Sequence, residues 1–354
     1  MMDVKKEVLL AWLAVLPRNR GIKNFLAGDI ERLQRLWHGD EEELVVLKNT
    51  NLKFFEGIIS DNNAQMAKIA YERCLEFGIE IITQQDNLYP EMLKNTDDAP
   101  AVLFYKGDIR KCKDCISVIG SRKATAYGIR VAREISEILA AKGACIVSGL
   151  ARGIDSAAHI GALKVEGATC GVIGAGIDVV YPPENEGLMN EIFQKGVVIS
   201  EYIPGTLPLP QNFPARNRLI SGLSKGLIVV EAGRESGTLI TVDFALEQGR
   251  DVYAVPGNIY SSKSEGTNNL IRDGAKIVVN IDEIAKECGI SVSKADKTSK
   301  LRKYIVESIE SGAFDVDETV NSTKCKISEI NSELGKMLFE GVVCKNADGE
   351  YWII

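Results

Sequence analysis

Between residues 115 and 280, short apolar runs rich in β-branched residues alternate with stretches long enough for helices, and this alternation constrains the fold more than any other feature. The runs are CISVIG (115–120), ACIVSG (144–149), ATCGVIG (168–174), GVVIS (196–200), GLIVVE (226–231), DVYAVPG (251–257) and KIVVN (276–280). Continuous apolar runs without polar alternation suit strands buried on both faces, and the intervening stretches can return the chain as crossover helices. The implied core is an α/β, extended Rossmann-like, doubly wound parallel sheet over residues 81–290.

The flanks read differently. Residues 1–80 show helical spacing in LLAWLAVL, FLAGDIERLQRLW, LKFFEGIIS and NAQMAKIAYERCLEFG, which predicts a small helical domain. The polar stretch SVSKADKTSK (291–300) reads as a linker. Beyond it LRKYIVESIE, KISEINSELGKMLFEGVV and YWII predict helix, helix and closing hairpin, the order of a winged helix over 301–354. The early apolar segment VLLAWLAVL continues into PRNR without a small-residue cleavage site, so it reads as a core helix rather than a signal peptide. No apolar run approaches the roughly 18 residues of a membrane span.

Net charge is −7, unevenly spread. Basic against acidic residues number 12 to 17 over 1–100, 21 to 21 over 101–290, 3 to 1 over 291–300 and 6 to 10 over 301–354. An anionic partner is therefore expected at a local cluster in the middle of the chain. The acidic last segment fits protein contact better than DNA reading. The eight cysteines, several inside strand patterns, suit a reducing cytoplasm. Cys112 and Cys115 form a CxxC with no second pair at zinc spacing, only two histidines in the chain and no thioredoxin-like context, so neither a metal site nor a redox pair is expected there, and no cofactor.

In a parallel sheet ligands bind beyond the carboxyl ends of the strands, so the residues following each run carry the chemistry. Gly120-Ser121-Arg122 follows the first run, Ser148 to Asp155 with Gly149 and Arg152 the second, and Glu231 to Thr238 with Ser236, Gly237 and Thr238 the fifth. Each offers close backbone approach, a hydroxyl or a guanidinium fork suited to phosphate oxygens. A single such turn is unspecific, but several on one sheet edge point to phosphate. There is neither GxGxxG nor GxxxxGK[ST], which leaves no dinucleotide fingerprint and no P-loop. LPLPQNFPARNRLISGLS (207–224) sets Phe213 beside Arg216, Asn217 and Arg218. An aromatic platform next to guanidinium groups suits a stacked base with its flanking phosphates. The same residues also suit a core phenylalanine with carboxylate-paired arginines, and the stretch alone does not separate the two readings.

Enzymatic readings are weaker. His159 lies among Ala and Ile in GIDSAAHIGAL and reads as a packing histidine. Ser148 lacks a GxSxG elbow, and Asp155 reads as a helix-start carboxylate.

The blocks VIGSR, IVSGLARGIDSAAH, VIGAGIDVVYP, ISEY, FPARNRLISGLS, SGTLIT, GRDVYAVPG and SEGTNNLIRDGA, in this order across 100–280, resemble the DprA (Smf) DNA-processing proteins of bacteria. The resemblance implies a SAM-like or helix-hairpin-helix-like domain first and a winged helix last. It implies a non-enzymatic homodimer that binds single-stranded DNA cooperatively, protects it and loads the RecA recombinase in natural transformation. Carried onto this chain, it implies DNA contacts from Arg122, Phe213, Arg216 and Arg218. Where some members place a lysine before the phenylalanine this chain has Pro210, which leaves Lys225 or Lys263 to supply the charge. The fold is also similar to the LOG-type phosphoribohydrolases, but Thr241 stands where their catalytic glutamate belongs. A nucleoside monophosphate hydrolase or a mononucleotide sensor is thus the alternative.

Overall fold

The computed structural model describes residues 4–17, 19–290, 294–312, 314–340, 342–345 and 351–353, in two compact units that divide after Ile290. The larger is built on one nine-stranded sheet. In chain order its strands are β1 (Glu80–Thr83), β2 (Val102–Gly107), β3 (Cys115–Ile119), β4 (Cys145–Ser148), β5 (Thr169–Val172), β6 (Val197–Ser200), β7 (Gly226–Val229), β8 (Asp251–Ala254) and β9 (Lys276–Ile277). They lie side by side as β1-β2-β6-β5-β4-β3-β7-β8-β9. Every neighbouring pair from β6 to β9 is parallel. These are the seven anticipated runs, each one to three residues shorter than the apolar stretch.

Two strands were not anticipated. β2 joins β6 antiparallel, with Phe104 opposite Ser200, and β1 pairs antiparallel with β2. Both precede the strand–helix alternation, and their long connection hides the hairpin from any short-turn signal.

Side-chain alternation sorts the core into two layers. Ile116, Val118 and Ile146 pack against the Ala126–Ala141 and Ile154–Lys164 helices, whereas Cys115, Ile119 and Val147 pack against the Asn212–Leu223 and Thr238–Glu247 helices. The chain winds outward from β3 to β6, then crosses back to β7 and continues the other way. The crevice between the carboxyl ends of β3 and β7 is the topological switch point, where such sheets bind ligands.

Ahead of the sheet stand the helices Lys6–Val15, Arg20–Ala27, Ile30–Trp37, Glu41–Thr50, Leu52–Ile58 and Asp61–Phe77. The predicted FLAGDIERLQRLW helix is two, because the Asp29 carboxylate accepts the Arg32 amide at 2.9 Å and opens a new one. Leu9, Trp12, Leu33 and Phe54 share one apolar core with Val102, Phe104 and Val198 of the sheet. The helices thus pack onto the sheet's face.

The smaller unit has helices Lys294–Glu310, Val316–Thr323 and Ile327–Phe339, then a ribbon of β10 (Val343–Lys345) and β11 (Tyr351–Ile353). Leu301, Ile305, Ile330, Leu334 and Met337 form its core. The Val316–Thr323 helix was not foreseen; it is short, and the Asp315 side chain starts it by accepting the Glu318 amide at 2.9 Å. Of the expected linker, residues 291–293 lie outside the described residues, and 294–300 are the first turns of a helix instead. Alanine and lysine favour helix, and that propensity overrides the polar composition. Among the described residues no helix is long and apolar enough to cross a membrane.

Candidate nucleic-acid interface

β3 and β7 run in register, Ile119 beside Val229, so the loops that follow them face each other. The Ser121 amide donates to the Glu231 carbonyl at 2.8 Å, and the buried Glu231 carboxylate accepts the Thr125 amide at 2.9 Å and the Thr125 hydroxyl at 2.5 Å. Thr125 in turn caps the Ala126–Ala141 helix through the Gly128 amide at 3.1 Å. The Gly120-Ser121-Arg122 turn is therefore clamped on both sides, with Arg122 and Lys123 exposed at its tip.

The loop after β4 closes onto that turn. Gly153 has φ 78°, and a Cβ there would stand 2.3 Å from the Ser121 carbonyl oxygen, so only glycine permits the contact. A Cβ at Gly149 would stand 2.6 Å from Asp155 Oδ2 and 2.9 Å from Arg216 Nη2. Its absence lets the Arg216 guanidinium slide beneath the loop, where Nη1 donates to the Gly149 carbonyl at 2.9 Å and to the Val172 carbonyl.

Arg216 was expected to hold phosphate. It reaches the cleft wall, but it is 3% exposed and ties β4 to β5 through two carbonyls. Burial pulls its guanidinium down to about 10, against the pull of the neighbouring Asp155 carboxylate. Burial pushes Asp155 up, and Arg216 and the Ala151 amide oppose that shift. Asp155 Oδ2 accepts the amides of Gly149 at 3.1 Å and Ala151 at 3.4 Å, so it organises the loop ahead of its helix rather than the helix's own first turn.

Arg218 departs further from expectation. Its guanidinium faces Asp98, with Nε 3.0 Å from Oδ2, and Glu201, and it lines a separate cavity of about 320 Å³ beside Arg20 and Lys23. Two residues along a helix point about 200° apart, so Arg216 and Arg218 cannot both serve one pocket. Arg152 is also engaged, its fork gripping the Glu184 carboxylate, with Nη2 3.1 Å from Oε2.

The remaining residues converge. Gly120, Ser121, Arg122, Phe213, Asn217, Ser236, Gly237 and Thr238 line one cleft of about 610 Å³ at the switch point. Gly149 and Arg152 border a narrow recess beside it, shared with Arg122 and Phe213. Phe213 is half-buried; the Arg122 guanidinium lies 5.4 Å from its ring centre. The Ser236 hydroxyl accepts the Thr238 amide at 3.3 Å, and the Thr238–Glu247 helix opens onto the cleft with no side-chain cap at Gly237. Lys263 lines the same cleft, as does Pro210, whereas Lys225 stands before β7 at the other end of the sheet, 2.5 Å from Asp114. Arg122, Lys123 and Lys263 make no ion pair among the described residues.

Tyr181 went unnoticed in the sequence. Its ring lies 5.3 Å from that of Phe213, tilted 37°, and lines both the cleft and the recess. The VVYPP loop after β5 was visible, but nothing local distinguishes a cleft tyrosine from a loop tyrosine. Lys123, Glu231 and Glu184 were missed for the same reason. The predicted packing histidine is one: His159 is buried, with Nδ1 2.7 Å from the Thr169 hydroxyl, and burial holds it down to about 3. The Ser148 hydroxyl donates to the Val118 carbonyl at 2.7 Å inside the core.

Residues 80–289 match the family described as DNA recombination-mediator protein A. The DNA processing protein DprA of Streptococcus pneumoniae is 40% identical over 255 residues, 72% of this chain and 88% of that one. Protein Smf of Synechocystis is 35% identical over 294 residues, 82% of this chain and 74% of that one. The crystal structure of the pneumococcal protein superposes with a TM-score of 0.68 at 36% identity, covering 81% of this chain and 99% of that one. A structure addressing the single-stranded DNA binding mode of DNA processing protein A from Helicobacter pylori gives 0.54 at 29%, covering 59% and 94%. With the family match spanning the whole sheet and these relatives covered over most of their length, the chain belongs to the DNA recombination-mediator protein A family.

Proposed function

We propose that the switch-point cleft binds single-stranded DNA without sequence preference. The observation that carries this is the stack of Arg122 on Phe213, with Tyr181 beside it, among cations that make no ion pair with a carboxylate of the described residues. Phosphates are held by Arg122, Lys123 and Lys263 at the mouth of the Thr238–Glu247 helix, while a base stacks on the aromatic pair. A duplex cannot splay a base onto that platform without unstacking it, so single strands are preferred. The Helicobacter pylori relative, described by its single-stranded DNA binding mode, supports the reading.

In this reading the protein is a cytoplasmic homodimer without catalytic activity that protects incoming strands and delivers them to the RecA recombinase during transformation and recombination. Family membership supports that role. The acidic winged-helix unit serves protein contact rather than DNA.

Fluorescence anisotropy of a labelled single-stranded oligonucleotide across a salt series tests it, with duplex, RNA and mononucleotide competitors. Salt-sensitive binding that duplex and mononucleotide fail to displace is expected. Displacement by a mononucleotide, or release of free base from one, overturns the reading.

A further inference from the structure

The amino end of the sheet carries a group of thiols that DNA binding does not use. Cys112 and Cys115 flank a turn in which Asp114 takes the left-handed conformation, φ 47°, and the turn brings their Sγ atoms to 3.6 Å. Cys115 opens β3 level with Cys145 on β4, and Cys170 follows on β5, opposite Val147. Strand alternation puts all three on one face, and the four sulfurs share one apolar cluster. Only Cys112 is near the surface, at 8% exposure; Cys115 is at 2% and the others at 0%. Hydrogen bonds from Cys115, Cys145 and Cys170 pull the Cys112 thiol down, while the other three are pushed up.

Packing alone would treat four buried thiols as small hydrophobes. It does not require a non-glycine residue held left-handed at a turn whose two sulfurs stand 3.6 Å apart. Among the described residues no His, Cys, Asp or Glu group is arranged to hold a metal ion.

We propose that Cys112 and Cys115 form a reversible dithiol–disulfide site that reacts with small peroxides. The Cys112 thiolate attacks hydrogen peroxide; an S–O bond forms, the O–O bond breaks, and the hydroxide released takes up the thiol proton as water. Cys115 sulfur then attacks the sulfenic sulfur, the S–S bond forms, and the S–O bond breaks to release a second water. Two thiols and one peroxide become one disulfide and two waters, and a dithiol reductant reverses the change. The sulfurs need close only from 3.6 Å to about 2.05 Å, within one turn.

The test is peroxide titration of the reduced full-length protein, followed by alkylation and trypsin, which cuts after Lys113 between the two cysteines. The expected product is Cys112–Lys113 cross-linked to Asp114–Arg122, released by dithiothreitol. It should form at least about tenfold faster than Cys74 oxidises, because burial and Asp178 push that thiol up to about 12. Cys112→Ser and Cys115→Ser should each abolish the cross-link while keeping the parent's circular dichroism; Cys115→Ala replaces the serine variant should that one fail to fold. Cross-links from Cys112 to Cys145 or Cys170 instead, or no cross-link at peroxide levels that oxidise Cys74, overturn the proposal.

Discussion

Lys225 and Lys276 stand at the amino ends of β7 and β9, and both are tied to carboxylates: Lys225 to Asp114 at 2.5 Å, Lys276 to Asp251 at 3.1 Å and Glu287 at 2.8 Å. Arg122, Lys123 and Lys263, beyond the carboxyl ends of β3 and β8, face the cleft with no such partner. The two lysines at the amino end are thus neutralised locally, whereas at the carboxyl end Arg152 is paired with Glu184 but these three cations make no ion pair among the described residues. A net charge of −7 hides this, because a polyanion responds to unpaired cations within a Debye length of about 10 Å. Pairing, more than count, separates a binding surface from a solvated one.

The largest test of the contrast concerns the one cleft arginine that is not free. Arg216→Ala would take from the buried Asp155 its stronger cationic neighbour and strip two carbonyls of their donor. Chemical denaturation should show a loss of about 3–5 kcal/mol, the range for one partner removed from a buried charge pair. A stable variant with weakened DNA binding would make Arg216 a ligand after all.

His159 supplies a second large effect, through pH. Its folded value is held near 3 against an ordinary 6.5, so below pH 6.5 the unfolded chain binds the proton that the folded one refuses. The stabilising contribution is full above pH 6.5 and drains as pH falls toward 3. At about 1.36 kcal/mol per pH unit, the parent should lose about 2.5 kcal/mol more than His159→Asn between pH 7 and 4.5, read by denaturation at both values.

Phe213→Ala should weaken single-stranded DNA binding by about 1–3 kcal/mol while leaving melting temperature nearly unchanged, since the ring is half-buried. Arg122→Ala should lower the slope of log affinity on log salt by about 0.7, and Lys225→Ala at the opposite end should leave it unchanged. Equal slopes in those two variants would erase the distinction between the sheet ends. The smallest effect has the opposite sign: Glu184→Gln frees Arg152 and should tighten binding by less than about 1 kcal/mol, the scale of an exposed ion pair.

The parallel strands β3 to β8 were legible because burial on both faces imposes an uninterrupted apolar run, whereas β9 is a two-residue exposed edge; the strand-end glycines were legible because backbone contact admits no side chain. The antiparallel pair β1 and β2 was not, since four residues such as EIIT carry no period of their own. Within the cleft, residue type showed which side chains can bind phosphate, but not which are already spoken for. Arg122 and Arg216 look alike in the sequence; one lies open on a phenylalanine and the other is locked between Gly149 and Val172. That difference comes from what the crossover brings alongside, 44 and 67 residues away in the chain.

The grip of Arg152 on Glu184 makes the cleft a competition assay in miniature. A ligand with one phosphate must displace a tethered carboxylate to gain that arginine and recovers little by doing so. If a polymer anchors at Arg122 and Phe213 as proposed, its next phosphate stands at high effective concentration and wins the exchange through avidity. In the proposed binding mode the internal competitor thereby screens by valency, and a strand is favoured over a free nucleotide.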